Sequence, residues 1–106
     1  KELRLPPCAQ MQMVCIVQEA LTNVRKHAGA SRVTVRAGRQ NGRGSVSVED
    51  NGRGFDTEVI GDEGQRHFGL SIMKERAEAA GGRFSIQSRL GQGTVVKVEL
   101  PGRKGG

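Results

Sequence analysis

The sequence predicts a two-layer α+β sandwich, with helices packed on one face of a mixed or antiparallel sheet. Three observations predict it. Two stretches, 9–27 and 68–80, carry apolar residues at helical spacing. Four others alternate apolar and polar residues and fall into two pairs, each pair split by a glycine-rich turn. The resulting order is helix, two strands, glycine loop, helix, two strands.

A chain of 106 residues suffices for one domain and one modest core, expected over 1–101, with 102–106 a disordered tail. Trp and Tyr are absent, so the core must come from Val, Ile, Leu, Met, Ala and three Phe. No apolar run approaches the roughly 20 residues of a membrane span, so no membrane contact is expected. The charged, proline-rich start at Lys1 to Pro7 is unlike a signal peptide, and a chain beginning at Lys rather than Met reads as a piece of a longer one. Cys8 and Cys15 lack CxxC spacing and read as idle thiols of a reducing, cytoplasmic compartment. The net charge of +6 admits a nucleic-acid partner. The basic residues are scattered, however, with no stacking aromatics between them, so no direct nucleic-acid contact is expected.

Pro6-Pro7 prevents an earlier helix start. From Ala9 to His27, Met13, Val17, Ala20 and Val24 form an apolar stripe facing the core. A second stripe, Glu19, Asn23, Lys26 and His27, can project toward one region beside it. Gly29 is a C-terminal stop. Arg32 to Ala37 reads as a strand with Val33, Val35 and Ala37 on one face, and Ser45 to Glu49 as its hairpin partner across Gln40-Asn41-Gly42-Arg43-Gly44. That return strand ends at Asp50-Asn51-Gly52-Arg53-Gly54-Phe55-Asp56. Residues 57–67 are polar and aperiodic and read as a mobile loop. Phe68 to Ala80 is helical, with Leu70, Met73, Ala77 and Ala80 on one face and Gly81-Gly82 ending it. Arg83 to Ser88 and Val95 to Leu100 are the last strands, joined through Leu90-Gly91-Gln92-Gly93-Thr94 and closed by Pro101.

The Asp50 loop has two readings. Asn-Gly is a common hairpin turn. A strand ending in Asp and breaking into glycines also places a fixed carboxylate beside backbone that can approach a ligand. Taken with the polar first-helix stripe, the second helix start at Gly69 and the turn at Gly91 and Gly93, a nucleoside triphosphate satisfies all four stretches. Its adenine amino group is a donor that Asp50 can accept. Its phosphates suit backbone N–H groups of helix starts and glycine loops, and its magnesium takes a hard oxygen such as that of Asn23. No GxxxxGK[ST] run is present, which excludes a P-loop site. His27 and His67 read equally well as ordinary surface histidines.

Gln18-Glu19-Ala20-Leu21-Thr22-Asn23-Val24-Arg25-Lys26-His27-Ala28 resembles the N box of sensor histidine kinases, and more narrowly of the nitrate/nitrite-sensor subfamily. The run 50–56 resembles the first glycine box of that superfamily, Phe68-Gly69-Leu70-Ser71-Ile72-Met73-Lys74-Glu75-Arg76-Ala77 its second, and Gly91-Gln92-Gly93-Thr94 its third. The boxes stand in the family's order over nearly the whole chain. The superfamily, GHKL, shares the Bergerat ATP-binding fold with gyrase-type topoisomerases, mismatch-repair ATPases and a heat-shock chaperone.

The resemblance implies ATP and Mg2+ as cofactors. It implies that Asn23 binds magnesium, that Glu19 acts catalytically around the γ-phosphate, and that Lys26 and His27 lie near the phosphates or ribose. Asp50 would accept from the adenine amino group with a water shared by Thr94. Gly52 and Gly54 would let the backbone pass the base, and Gly91 and Gly93 would shape the turn beside it. Residues 57–67 would be an ATP lid, with Phe68, Gly69 and Leu70 opening the second helix near the phosphates. His67 stands where many such kinases have glycine, which moves the lid hinge to Gly64.

The implied function is the catalytic ATP-binding domain of a two-component sensor histidine kinase, passing the γ-phosphate to a histidine on a separate dimerisation hairpin. The implied next partner is a response regulator with helix-turn-helix output. The domain would be cytoplasmic, free or as the cytoplasmic part of a membrane-bound kinase. Alternatives are a stand-alone serine kinase of the anti-sigma type and a nucleotide-binding adaptor without transfer activity.

Overall fold

The structure, a computed structural model, describes residues 7–40, 42–56 and 69–101. Expectations for the lead-in, the lid, Gly64, His67, Phe68 and the tail lie outside these residues.

Helix α1 spans Pro7–Asn23. It begins on a proline, whose fixed φ suits the first helical position. Its last turn widens into a π-helical turn, Val24–Ala28, which the spacing did not predict. Gly29 stops it in the left-handed conformation, φ 59°. Strands β1, Val33–Gln40, and β2, Arg43–Asp50, follow. Both run further into the turn than expected, because Gln40 pairs with Arg43 and leaves a two-residue connection. Helix α2 is Leu70–Ala79, and it closes with the Gly82 N–H donating to the Ala77 carbonyl at 2.8 Å. Strands β3, Arg83–Ser88, and β4, Thr94–Pro101, complete the chain.

The sheet order is β1-β2-β4-β3, and every pairing among the described residues is antiparallel. This is the two-layer α+β sandwich the sequence predicts, with α1 and α2 on one face. Val46 and Val48 of β2 and Val96, Val98 and Leu100 of β4 point at the helices. Ala9, Ile16 and Ala20 of α1 and Leu70, Met73 and Ala77 of α2 meet them.

Two details depart from the pattern read in the sequence. Ile16 is the most buried residue of α1, at 1% exposure, whereas Met13, Val17 and Val24 pack only partly. Val33 and Val35 do share the helix-side face with Val48, their neighbourhood on β2. They nevertheless remain 42% and 48% exposed, because β1 is an edge strand beyond the cover of the helices.

Candidate functional site

Between the end of α1, the β2 exit and β4 lies a cavity of about 210 Å³. Its walls are mostly apolar: Ala20 and Val24 from the first helix, Val48 and Val96 from the central strands, Leu70 from α2 and Ile86 from β3. Phe55 closes one side. Such a slot, with few polar groups at fixed places, is the usual form of a small-molecule site.

The polar end is made by Asp50 and Thr94. They are register partners on β2 and β4, and both line the cavity. Asp50 is the buried charged residue of the described core, at 8% exposure. Its Oδ1 accepts from the Gly52 N–H at 2.8 Å, which fixes the carboxylate's orientation. The same carboxylate lines the cavity, and its two oxygens have acceptor capacity beyond the Gly52 bond. Thr94 Oγ1 lies 2.7 Å from Ser88 Oγ. Ser88 also receives the Phe55 N–H at 2.8 Å and donates to the Gly93 carbonyl at 3.1 Å.

The other rim is basic. Asn23, Lys26 and His27 line the cavity from the end of the first helix, joined by Arg53. A helix C-terminus carries partial negative charge, so Arg25, Lys26 and His27 in this last turn offset it. Without them this end would repel an anion.

Glu19 separates from the three residues it was grouped with. It lines a distinct cleft between α1 and α2, with Gln18, Thr22 and Arg76. There it stands against Gly69, where an added Cβ would lie 2.6 Å from Glu19 Oε2. The α2 start therefore meets Glu19, and only its next residue, Leu70, reaches the cavity.

The glycines make close contacts with neighbouring backbone. Gly52 packs against the Ala28 carbonyl, Gly54 against the Arg89 carbonyl, and Gly93 against the Asp50 carbonyl. The close approach that excludes a side chain is chain against chain, and of these only Gly54 also lines the cavity. Gly91 sits at φ 80° in open space, its N–H donating to the Arg53 carbonyl at 2.6 Å. Residues with no role read in the sequence are Arg53, Phe55, Ile86, Ser88 and Asn51. Asn51 ties the loop to Ser31 and Arg32, with its Oδ1 accepting both N–H groups at 3.0 and 2.9 Å.

Comparison with known proteins bears on this site. The family model for histidine kinase-, DNA gyrase B- and HSP90-like ATPases matches residues 8–104. The signal transduction histidine-protein kinase/phosphatase DegS of Brevibacillus brevis is 37% identical over 98 residues, covering 92% of this chain and 25% of DegS. The nitrate/nitrite sensor protein NarQ of Escherichia coli is 36% identical over 112 residues, covering 98% of this chain and 19% of NarQ. The chain thus spans a quarter or less of the length of these relatives. The crystal structure of the ATP-binding domain of PrrB from Mycobacterium tuberculosis superposes with a TM-score of 0.73 at 25% identity, covering 89% of this chain and 69% of that one.

Proposed function

The chain belongs to the histidine kinase-, DNA gyrase B- and HSP90-like ATPase family, and from that premise we propose that it is the ATP-binding catalytic domain of a two-component sensor histidine kinase. The observation that carries the site is Asp50: a buried carboxylate, locked by the Gly52 N–H, at the polar end of an apolar slot. A carboxylate accepts several hydrogen bonds, so Asp50 can take a further donor from a ligand in the cavity. An adenine amino group supplies such a donor, and Val48, Val96, Phe55 and Ile86 give the cavity apolar walls for the ring.

Asn23, Lys26 and His27 then face the sugar and phosphates, with Arg53 as a fourth polar group on that rim. Asn23 offers one amide oxygen, and magnesium is commonly held by one or two protein oxygens together with phosphate oxygens and waters. The donor set therefore fits Mg2+. When bound, the ion neutralises phosphate charge during transfer. Glu19 stands against Gly69 at the α2 start, in the neighbouring cleft, and in this reading it acts on the γ-phosphate from that side. Phosphoryl transfer asks mainly for positioning and charge neutralisation, which these residues provide. The acceptor is a histidine on a dimerisation hairpin elsewhere in the parent, and the next partner is a response regulator. Among the described residues no helix is long and apolar enough to cross a membrane.

Calorimetric titration with a non-hydrolysable ATP analogue, with and without magnesium, tests the site on this chain and on Asp50→Asn. Asn can still accept from Gly52 but loses the second acceptor, so affinity should fall about tenfold or more with the fold intact. Unchanged affinity in a folded Asp50→Asn would remove the adenine assignment.

A further inference from the structure

We propose that Ser88 sets the hydrogen-bonding polarity of the cavity by fixing where the Thr94 proton points, which makes it a positioning residue for the choice of base; the inference rests on the nucleotide reading above. Ser88 ends β3 directly across from Thr94 on β4. Its Oγ takes part in three contacts: Phe55 N at 2.8 Å, the Gly93 carbonyl at 3.1 Å and Thr94 Oγ1 at 2.7 Å.

The protons can be counted. A serine hydroxyl has one proton and two lone pairs, and a carbonyl oxygen has no proton. Only one arrangement puts a proton in every contact. Phe55 N–H donates to Ser88 Oγ, Ser88 donates to the Gly93 carbonyl, and the Thr94 hydroxyl donates to Ser88 Oγ. Ser88 is then saturated. The Thr94 proton is turned away from the cavity, and the hydroxyl offers the cavity lone pairs alone.

Asp50 lies across the strand pair from Thr94 and also offers only acceptors. Both strands thus present acceptors at the same end of the slot. A base with an amino group at that edge is matched. A base with a carbonyl there, such as hypoxanthine, meets lone pair against lone pair and leaves buried acceptors unpaired. Removing the Ser88 hydroxyl frees the Thr94 proton to rotate into the cavity and meet such a carbonyl. Loss of Ser88 therefore relaxes selectivity. If Ser88 served merely to pin Phe55 and the Gly93 turn, its loss would weaken both bases in the same proportion.

Affinities of a non-hydrolysable ATP analogue and of its inosine counterpart, measured by calorimetry, separate the two. The chains are the unaltered one, Ser88→Ala, Ser88→Thr, Thr94→Val and the Ser88→Ala/Thr94→Val double variant. Ser88→Ala should lower the adenine-over-hypoxanthine affinity ratio by about tenfold, and Ser88→Thr, which keeps a hydroxyl, should retain it. Thr94→Val should lower the ratio as well, and adding Ser88→Ala to it should change the ratio no further. Should Ser88→Ala not fold, Ser88→Cys substitutes a weak acceptor of similar size and is judged by the same ratio. An unchanged ratio in the Ser88 variants, or a further drop in the double variant, overturns the proposal while ATP binding stands. Failure of the unaltered, folded chain to bind the adenine analogue overturns the nucleotide reading and this inference with it.

Discussion

Asn51 and Ser31 hold each other through both ends of the Asn51 amide: the Ser31 N–H donates to Oδ1 at 3.0 Å, and Nδ2 donates to Ser31 Oγ at 2.9 Å. The same Oδ1 accepts the Arg32 N–H at 2.9 Å. One side chain thus fastens the β2 exit to the start of β1, immediately after Asp50. Asn51→Ala removes all three bonds. Each is exposed, and the net loss should be about 2 kcal/mol, read as a lower denaturant midpoint at unchanged slope. Asn51→Asp keeps the acceptor for both N–H groups, and the Ser31 hydroxyl can turn to donate, so it should cost under about 1 kcal/mol. Equal losses in the two variants would show that the amide bonds do not hold the loop.

Two glycines of one turn should respond to different extents. Gly91 and Gly93 sit at φ 80° and 81°, so alanine is strained at both. At Gly91 nothing lies within 4 Å of an added Cβ. Gly91→Ala should therefore cost about 1 kcal/mol, the left-handed penalty alone. At Gly93 the Cβ would run into the Asp50 carbonyl and come within 3.1 Å of Asn51 Cα. These are backbone atoms beside the carboxylate that lines the cavity, and relieving the clash moves Asp50. Gly93→Ala should cost about 3 kcal/mol or more and weaken binding of an ATP analogue, whereas Gly91→Ala should leave binding unchanged. Thermal unfolding and the same titration check both, and similar losses in the two variants would contradict the steric account.

The fold was legible because the signals that carried it are local. Helical spacing, alternation and glycine punctuation are written within single elements, and the order of elements admits few layer arrangements. What was not legible depends on cover and on distant partners. Alternation put Val33, Val35 and Ala37 on one face, but only the sheet order shows that β1 is an edge whose valines stay exposed. A four-residue stripe was too narrow for α1, whose buried arc includes Ala9 and Ile16. Glu19 was grouped with Asn23 by spacing, yet α2 packs against one and the cavity opens beside the other. Asn51 and Ser88 work through partners 20 and 33 residues away, and no spacing rule reaches that far. The resemblance implies that Gly52 and Gly54 let the backbone pass a ligand and that Gly91 and Gly93 shape the turn beside it. What spacing does not show is that Gly52 and Gly93 also make room for neighbouring backbone, at the Ala28 and Asp50 carbonyls.

Asn23 should govern the magnesium dependence of binding and little else. It stands where the α-helix gives way to the π turn, so its side chain and those of Lys26 and His27 all reach the cavity. Such π turns recur at functional sites. The proposed adenine end lies elsewhere, at Asp50 and Thr94, which line the same cavity. Asn23→Ala should therefore leave magnesium-free affinity for an ATP analogue within about twofold and reduce the gain on adding magnesium by roughly tenfold. Asn23→Asp keeps an oxygen ligand and adds charge, so it should retain the gain. Titrations with and without magnesium separate the effects. If magnesium improves binding to Asn23→Ala as much as to the unaltered chain, the ion is held by other groups and the phosphate end must be reassigned, with the Asp50 end untouched.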